Sequence, residues 1–575
     1  MKKLFVHMKM YVKECILGPL FKLLEATFDL IVPLVVAAII DTGIARGDIS
    51  YVLKMCGVLL LLAVVGLTCA VVAQYFAAKA AVGFAANLRS ALFKKIQLLT
   101  FTQQDRVGAS TLITRMTSDI NQVQSGTNLA LRLLLRSPFV VFGAAIMAFT
   151  IDWRSALTLT ATIPLLSVVV FGIMLWSIPN VKKVQGNLDD VLSSTRESLT
   201  GARVLRAFCK EEQEIQQFTQ RNDRLTELQK KVGRVSALMN PLTYVIINFG
   251  VIALLYVGAL RVSSGTLTQG QVVALYNYMG QILIELVKLA NLIISITKAV
   301  ACLGRVNTVM EMTPDMVSGG KLPEIAFPEA VRFDNVTLTY AGAGAPSLQN
   351  VSFSVKRGQT VGIIGGTGAG KTSLVNLIPR FYDATEGQIF VCGQDVKDYP
   401  LAELRQKIGI VPQKAVLFKG TIRENLRWGK NDTTEEEMLS ALSDAQGLDI
   451  LKEKSEGLDA EISQSGSNLS GGQRQRLTIA RALIGKPDIL ILDDSASALD
   501  YLTDLHLRKA ISAFSDMTVF IVSQRTASIK NADFIIVLDE GRICGMGTHE
   551  ELLADNEVYQ EIYYSQYEKE GRANG

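Results

Sequence analysis

The chain has 575 residues, of which 49% are hydrophobic and only 19% charged. Soluble domains usually carry about 25% charged residues, so part of this chain is expected to sit in lipid, and the length suggests three or four domains. Its 58 basic and 54 acidic residues leave a net charge of +4, too small to say much about partners, and no nucleic-acid partner is expected.

Lys2, Lys3, Lys9 and Lys13 precede the first apolar run, and no small-residue cleavage site follows it. This is the pattern of a cytoplasmic lead into a retained membrane helix. Crossing a bilayer takes about 20 apolar residues. Such stretches recur near 16–40, 55–78, 133–151, 155–178, 241–262 and 272–302. They predict an all-α transmembrane domain with six membrane helices over residues 1–310. Connections 41–50, 152–154 and 263–270 are short, whereas 79–130 and 179–240 are long, polar and basic, and read as helices running past the membrane. The excess of Lys and Arg in the long connections places them, and both termini, in the cytoplasm of a multi-pass cell-membrane protein. Seven scattered cysteines with no C-x-x-C argue against a disulfide framework or a zinc site.

Charges fall inside the spans. Glu25 and Asp29 share a helix face, as do Arg132 and Arg136, while Glu285 and Lys288 are spaced to pair. Internal ion pairs are the favoured reading over substrate contact. Residues 311–330 read as a linker, broken by Thr313-Pro314-Asp315, Ser318-Gly319-Gly320 and Leu322-Pro323. From 331 to 575 apolar strands such as Thr360–Ile364, Ile408–Val411, Ile489–Leu492, Val519–Val522 and Phe534–Leu538 alternate with helical patterns. A soluble α/β domain with a largely parallel sheet is expected.

Within it, Gly365-Gly366-Thr367-Gly368-Ala369-Gly370-Lys371-Thr372 has the form G-x-x-x-x-G-K-T, followed by Ser373 and preceded by an apolar strand. That is the setting of a phosphate loop, in which backbone N–H groups face phosphates, Lys371 adds a charge and the Thr372 hydroxyl can ligate Mg²⁺. Asp493 ends the strand Ile489–Leu492, where a carboxylate can hold Mg²⁺ through water. Gln413 ends another strand and could reach the same ion. Tyr340 precedes the strand leading to the loop, where an aromatic ring can stack on adenine. Leu469-Ser470-Gly471-Gly472-Gln473 opens a helix whose N–H groups suit a phosphate. Ser497-Ala498-Leu499-Asp500 follows the carboxylate strand.

Taken together, these motifs resemble the ABC transporter ATPase, and six spans fused ahead of it resemble the ABC exporter half-transporter. The resemblance covers nearly the whole chain. It implies ATP and Mg²⁺ as ligands, coupling helices near Phe101–Gly108 and Val204–Glu212, and an obligate dimer in which ATP is clamped between one chain's phosphate loop and the other's signature motif. Ser470, Gly471, Gly472 and Gln473 would then act in trans. Tyr340 becomes the adenine-stacking residue and Gln413 the Q-loop glutamine.

Three departures stand out. The family has Asp-Glu after the carboxylate strand, with Glu as general base, whereas this chain has Asp493-Asp494. The family's switch histidine is replaced by Gln524, and His7, His506 and His549 cannot take its place. An upstream family glutamate is Gln464. A weak hydrolytic centre with an intact signature resembles one half of a heterodimeric bacterial ABC exporter, whose different partner chain holds the Glu and the His. The expected activity is ATP-driven export of a small molecule, lipid or peptide. The alternatives are an ATP-gated channel, a regulatory nucleotide-binding membrane subunit, or a slow homodimeric exporter.

Overall fold

A computed structural model describes residues 4–320, 328–495 and 498–567. Lys2 and Lys3, linker residues Leu322 and Pro323, and Ser497 lie outside the described residues. The chain forms two compact units: one runs up to Gln97 and resumes over Ala109–Met312, the other joins Leu98–Gly108 to the chain from Thr313 onward.

Among the described residues of the first unit, six helices are long and apolar enough to cross a membrane: Val6–Ile44, Ile49–Gln97, Ala109–Ile151, Trp153–Thr200, Glu211–Ser263 and Gln269–Met310. At about 1.5 Å per residue the second is about 73 Å long, far more than the ~30 Å hydrocarbon core. The polar connections are therefore continuations of membrane helices. Small residues let the first two spans approach closely, since a Cβ on Gly18 would sit 3.4 Å from the Ala77 backbone nitrogen, with Ala73, Ala77, Ala80 and Ala81 all buried. At the far end of the first span Asp41 accepts hydrogen bonds from the Thr268 hydroxyl (2.5 Å) and the Gly270 N–H (2.7 Å), so it caps the last span from outside that helix.

The intramembrane charges meet at Arg136. Its guanidinium donates to Glu285 at 2.5 Å and to Asp29 at 2.9 Å. Glu285 also accepts from Ser137 (2.8 Å) and Lys288 (2.9 Å), and Lys22 pairs with Glu25 at 2.5 Å. A buried ion without such partners costs several kcal/mol, so three spans are tied together where a charge would otherwise be expelled.

The second unit has two main sheets. A six-stranded sheet runs Arg542–Gly547, Phe534–Asp539, Thr360–Gly365, Thr518–Val522, Ile489–Asp493, Ile408–Val411, parallel except at the Arg542–Gly547 edge. Its central strands are covered on both faces, which explains their unbroken apolar runs. A second, antiparallel sheet orders Leu348–Lys356, Glu329–Leu338, Glu386–Val391 and Gln394–Asp395. Only the parallel sheet was expected; the antiparallel one is an addition. In it Glu329–Leu338 carries register shifts against both neighbours, which break up the simple alternation of apolar and polar residues.

The segment Leu98–Gly108 belongs to this second unit. Its helix Phe101–Val107 starts with a capping box between Thr100 and Gln103. The Gln103 amide donates to the Thr313 carbonyl (2.6 Å) and Asp315 (3.0 Å), the Tyr382 hydroxyl donates to Asp105 (2.7 Å), and the Phe101 ring lies 4.7 Å from Phe381. In the first unit, the second expected coupling segment is a short helix, Ala202–Ala207, with Val204 and Phe208 exposed.

Candidate nucleotide-binding site

Strands Thr360–Gly365, Ile408–Val411, Ile489–Asp493 and Thr518–Val522 are parallel neighbours, with Val522 paired to both Ile363 and Asp493 and Val411 to Leu492. Their carboxyl ends therefore open on one edge, where ligands bind in open α/β sheets. A cavity of about 230 Å³ lies there, lined by Ser347, Thr367, Gly368, Ala369, Gly370, Lys371, Thr372, Ser373, Gln413, Asp493, Asp494, Val522 and Gln524.

The glycines of the loop have different reasons. Gly368 (φ +87°) and Gly370 (φ +95°) occupy the left-handed region that L side chains avoid. At Gly365 and Gly370 there is also no room, because a Cβ would fall 2.1 Å from the Leu538 carbonyl oxygen and 2.6 Å from that of Ser347. Around Gly366 and Gly368 the space is open, with nothing within 4 Å of an added Cβ. The loop thus cradles a void bordered by its own backbone, and the buried Lys371 ammonium turns onto it, donating to the carbonyls of Gly365 (2.8 Å) and Gly366 (2.7 Å). Burial lowers the Lys371 pKa, and Asp494 and Asp493 oppose that shift. The Thr372 hydroxyl donates to Asp493 at 3.1 Å. Burial pushes the Asp493 carboxyl up against the pull of Thr372 and Lys371, with Asp494 adding to the rise. A hydroxyl and a buried carboxylate this close, beside a cationic side chain and an open loop, fit a triphosphate with its divalent cation.

Asp494 stands just beyond the strand at φ +47°, its N–H bonded to the Val522 carbonyl at 2.9 Å. The Gln413 amide donates to its carboxylate at 3.4 Å, the long end of a hydrogen bond. Gln524 lines the same cavity from beyond Val522. Tyr340 stands near the loop's far end, where its hydroxyl donates to Ser373 (3.0 Å) and its ring meets Tyr382 edge-on at 5.0 Å. Sequence reasoning missed Tyr382, Ser347 and Val522; an aromatic on the far side of the loop's helix carries no local signal.

Ser470, Gly471, Gly472 and Gln473 do not line this cavity. They open the helix Gly471–Ile484, where Ser470 and Gln473 form a capping box, and Gln473 also donates to Glu453 at 2.8 Å. A Cβ on Gly471 would touch only Ala498, at 3.9 Å, which leaves that helix start open. Gln464 sits in the turn Gln464–Gly466. His549 bonds the buried Tyr559 hydroxyl at 2.7 Å, away from the nucleotide cavity.

Comparison with known proteins agrees with this architecture. Residues 15–286 match the family described as the ABC transporter transmembrane region, and residues 348–497 match the ABC transporter family. The chain is 37% identical to an uncharacterised ABC transporter ATP-binding protein of Mycobacterium tuberculosis over 97% of both chains. It is 32% identical to an ATP-dependent lipid A-core flippase of Syntrophus aciditrophicus, covering 84% of this chain and 81% of that one. The solved structure of a bacterial Atm1-family ABC exporter with ATP bound superposes with a TM-score of 0.79 at 24% identity, covering 98% and 99% of the two chains. The chain belongs to the ABC transporter family and is an exporter-type half-transporter, six membrane-spanning helices followed by an α/β ATP-binding domain.

Proposed function

We propose that this chain is one subunit of an ATP-driven exporter in which it binds ATP at a hydrolytically weak site and lends its signature helix to a different, competent partner. Its ATP-binding domain makes ATP hydrolysis coupled to transport the family activity, and exporters of this family work as dimers of half-transporters. The observation that carries the finer reading is the cavity itself: Lys371, Thr372 and Asp493 are assembled there, while the base and switch positions hold Asp494 and Gln524.

In this reading Gly365 to Ser373 hold the phosphates, Tyr340 stacks on adenine, and Thr372, Gln413 and Asp493 hold Mg²⁺, Asp493 through water. The cation would neutralise phosphate charge as the terminal phosphoryl departs. Asp494 is one methylene short of a glutamate and orients water poorly, and Gln524 has no proton to exchange near neutral pH. Ser470 to Gln473 face the partner's nucleotide. Residues 1–310, apart from Leu98–Gly108, form the transport path, 311–330 the linker and 331–575 the nucleotide-binding domain, which lies in the cytoplasm with both termini. The cargo is a small molecule, lipid or peptide, and the flippase relative supports an amphiphile.

The test is ATPase and transport by the purified chain alone and with the half-transporter that copurifies with it. Slow hydrolysis alone, with ATP-dependent uptake into inside-out vesicles by the pair, is expected. Brisk turnover by the lone chain would overturn the weak-site reading in favour of a homodimer, and ion flux without uptake would favour a channel.

A further inference from the structure

The segment that carries Gln524 is held from an unexpected direction. The last described helix, Glu557–Gln566, ends on Gln566, whose side chain grips two residues of the switch segment. Its carbonyl oxygen accepts from the Thr526 N–H (2.9 Å) and the Thr526 hydroxyl (3.1 Å). Its amide nitrogen donates to the Gln524 carbonyl at 2.7 Å. Both ends of one amide are thus used within a stretch of three residues.

The helix behind that clasp is well anchored. Asn556 caps it, accepting from the Tyr559 N–H at 2.8 Å, and donates to the Cys544 carbonyl at 2.9 Å. Tyr559 is fully buried in an apolar cluster with Ile364, Ile529, Ile535 and Val537. Ile364 belongs to the strand that feeds the phosphate loop. The Ser523 N–H bonds the Ile363 carbonyl of that strand at 3.1 Å, and Thr526 is buried. The switch segment is therefore pinned at Ser523 by the phosphate-loop strand and at Gln524 and Thr526 by the terminal helix packed on that same strand. Gln566 itself is exposed, so its use here is not explained by core packing.

We infer that Gln566 is a positioning residue: its clasp on the backbone of residues 524–526 aims the Gln524 side chain into the nucleotide cavity, and so sets how strongly this site distinguishes ATP from ADP. The inference rests on the reading of Gln524 as the group facing the terminal phosphate.

The experiment uses the full chain with its copurifying partner in lipid nanodiscs. Photolabelling with 8-azido-ATP, read on this chain's own gel band, is competed by ATP and by ADP. The variants are Gln566→Leu, Gln566→Glu, Gln524→Ala and the Gln524→Ala/Gln566→Leu pair. Each lost hydrogen bond is worth about 0.5–1.5 kcal/mol, or roughly twofold to tenfold in affinity. Gln566→Leu should weaken ATP competition by that factor while ADP competition stays put; the melting temperature falls with the lost hydrogen bonds, so the ratio of ATP to ADP competition is the readout. Gln566→Glu keeps the acceptor for Thr526 but sets a carboxylate oxygen against the Gln524 carbonyl, so it should weaken ATP competition at least as much as Leu. The double variant should be no worse than Gln524→Ala alone. Equal loss of ATP and ADP, or additive losses in the double variant, would overturn the positioning role. If Gln524→Ala leaves the ATP preference intact while Gln566→Leu reduces it, the switch reading of Gln524 fails, and with it the route proposed here.

Discussion

If the weakness of this site is a matter of reach, one methylene should repair much of it. Asp494 is held firmly, with its N–H on the Val522 carbonyl at 2.9 Å and its carboxylate 3.4 Å from the Gln413 amide. Asp494→Glu adds one C–C bond of about 1.5 Å, which carries the carboxylate forward by roughly 1 Å along the zigzag. A misplacement of that size costs about 100-fold in rate, equivalent to about 2.7 kcal/mol of barrier. Glutamate should therefore raise hydrolysis at this site about tenfold while Gln524 remains, and Asp494→Glu/Gln524→His should approach about 100-fold. The backbone conformation at φ +47° suits Asp better than Glu, so a small loss of thermal stability accompanies the gain. The assay is steady-state phosphate release by the pair with the partner's own base removed, so that only this centre turns over. A double variant that binds ATP normally and still hydrolyses within about twofold of the parent would refute the reach argument, because no geometric correction would then reach the stated barrier.

Gly471→Glu puts a carboxylate at an open helix start, and should cut turnover of the pair more deeply than Lys371→Ala. If this site is the weak one, as proposed, the lysine change removes a phosphate contact worth about 1.5–3 kcal/mol from it alone; comparing steady-state rates with nucleotide occupancy at saturating ATP checks the order, and the reverse order would mean equivalent sites. Arg136→Leu strips the shared cation from Asp29 and Glu285 and should cost about 3 kcal/mol, the low end for breaking a buried pair, because Lys288 and Ser137 still serve Glu285. Melting in detergent should fall, and Arg136→Leu/Glu285→Leu should recover part of the loss; no recovery would argue against the ion pair as the cause. Burial raises the Asp493 pKa, so this group's contribution to stability is full below the ordinary carboxylate range and is lost as pH rises through the raised value. Asp493→Asn should therefore melt higher than the parent at pH 7.5 without nucleotide, the gap narrowing toward pH 4; a gap independent of pH would exclude titration of this carboxyl.

How much of this was legible beforehand differs from element to element. The phosphate loop and its flanking strand were plain, because glycine at left-handed positions and an unbroken apolar run are dictated locally. The six spans were equally plain, since a bilayer demands length and apolarity and little else. The intramembrane charges could be listed from the sequence, but their partners could not. Arg136 bonds residues 107 and 149 positions away, a choice made by span packing rather than by spacing. The antiparallel sheet was missed because Glu329–Leu338 is bulged against both neighbours. The approach of Gln413 to Asp494 depends on two strand ends lying side by side, which only the sheet order reveals. Tyr382 had no signal at all: it matters because it touches both Tyr340 and Asp105, 277 positions upstream.

The assignment of Leu98–Gly108 to the ATP-binding unit also bears on how the protein is made. Gln103 leaves the ribosome 210 residues before Thr313, its hydrogen-bond partner. The membrane helices from Ala109 onward are synthesised and inserted in the interval, so this short piece must wait, unpaired, for a domain that does not yet exist. Closing so long a loop is slow and comes late. A nascent chain arrested before residue 380 should therefore leave Phe101 open to labelling or to a chaperone. The same logic applies to dissection: a fragment starting at Thr313 lacks a native element of its own domain, with the faces of Phe381 and Tyr382 bare. Supplying residues 98–108 as a peptide should therefore raise the melting temperature of such a fragment.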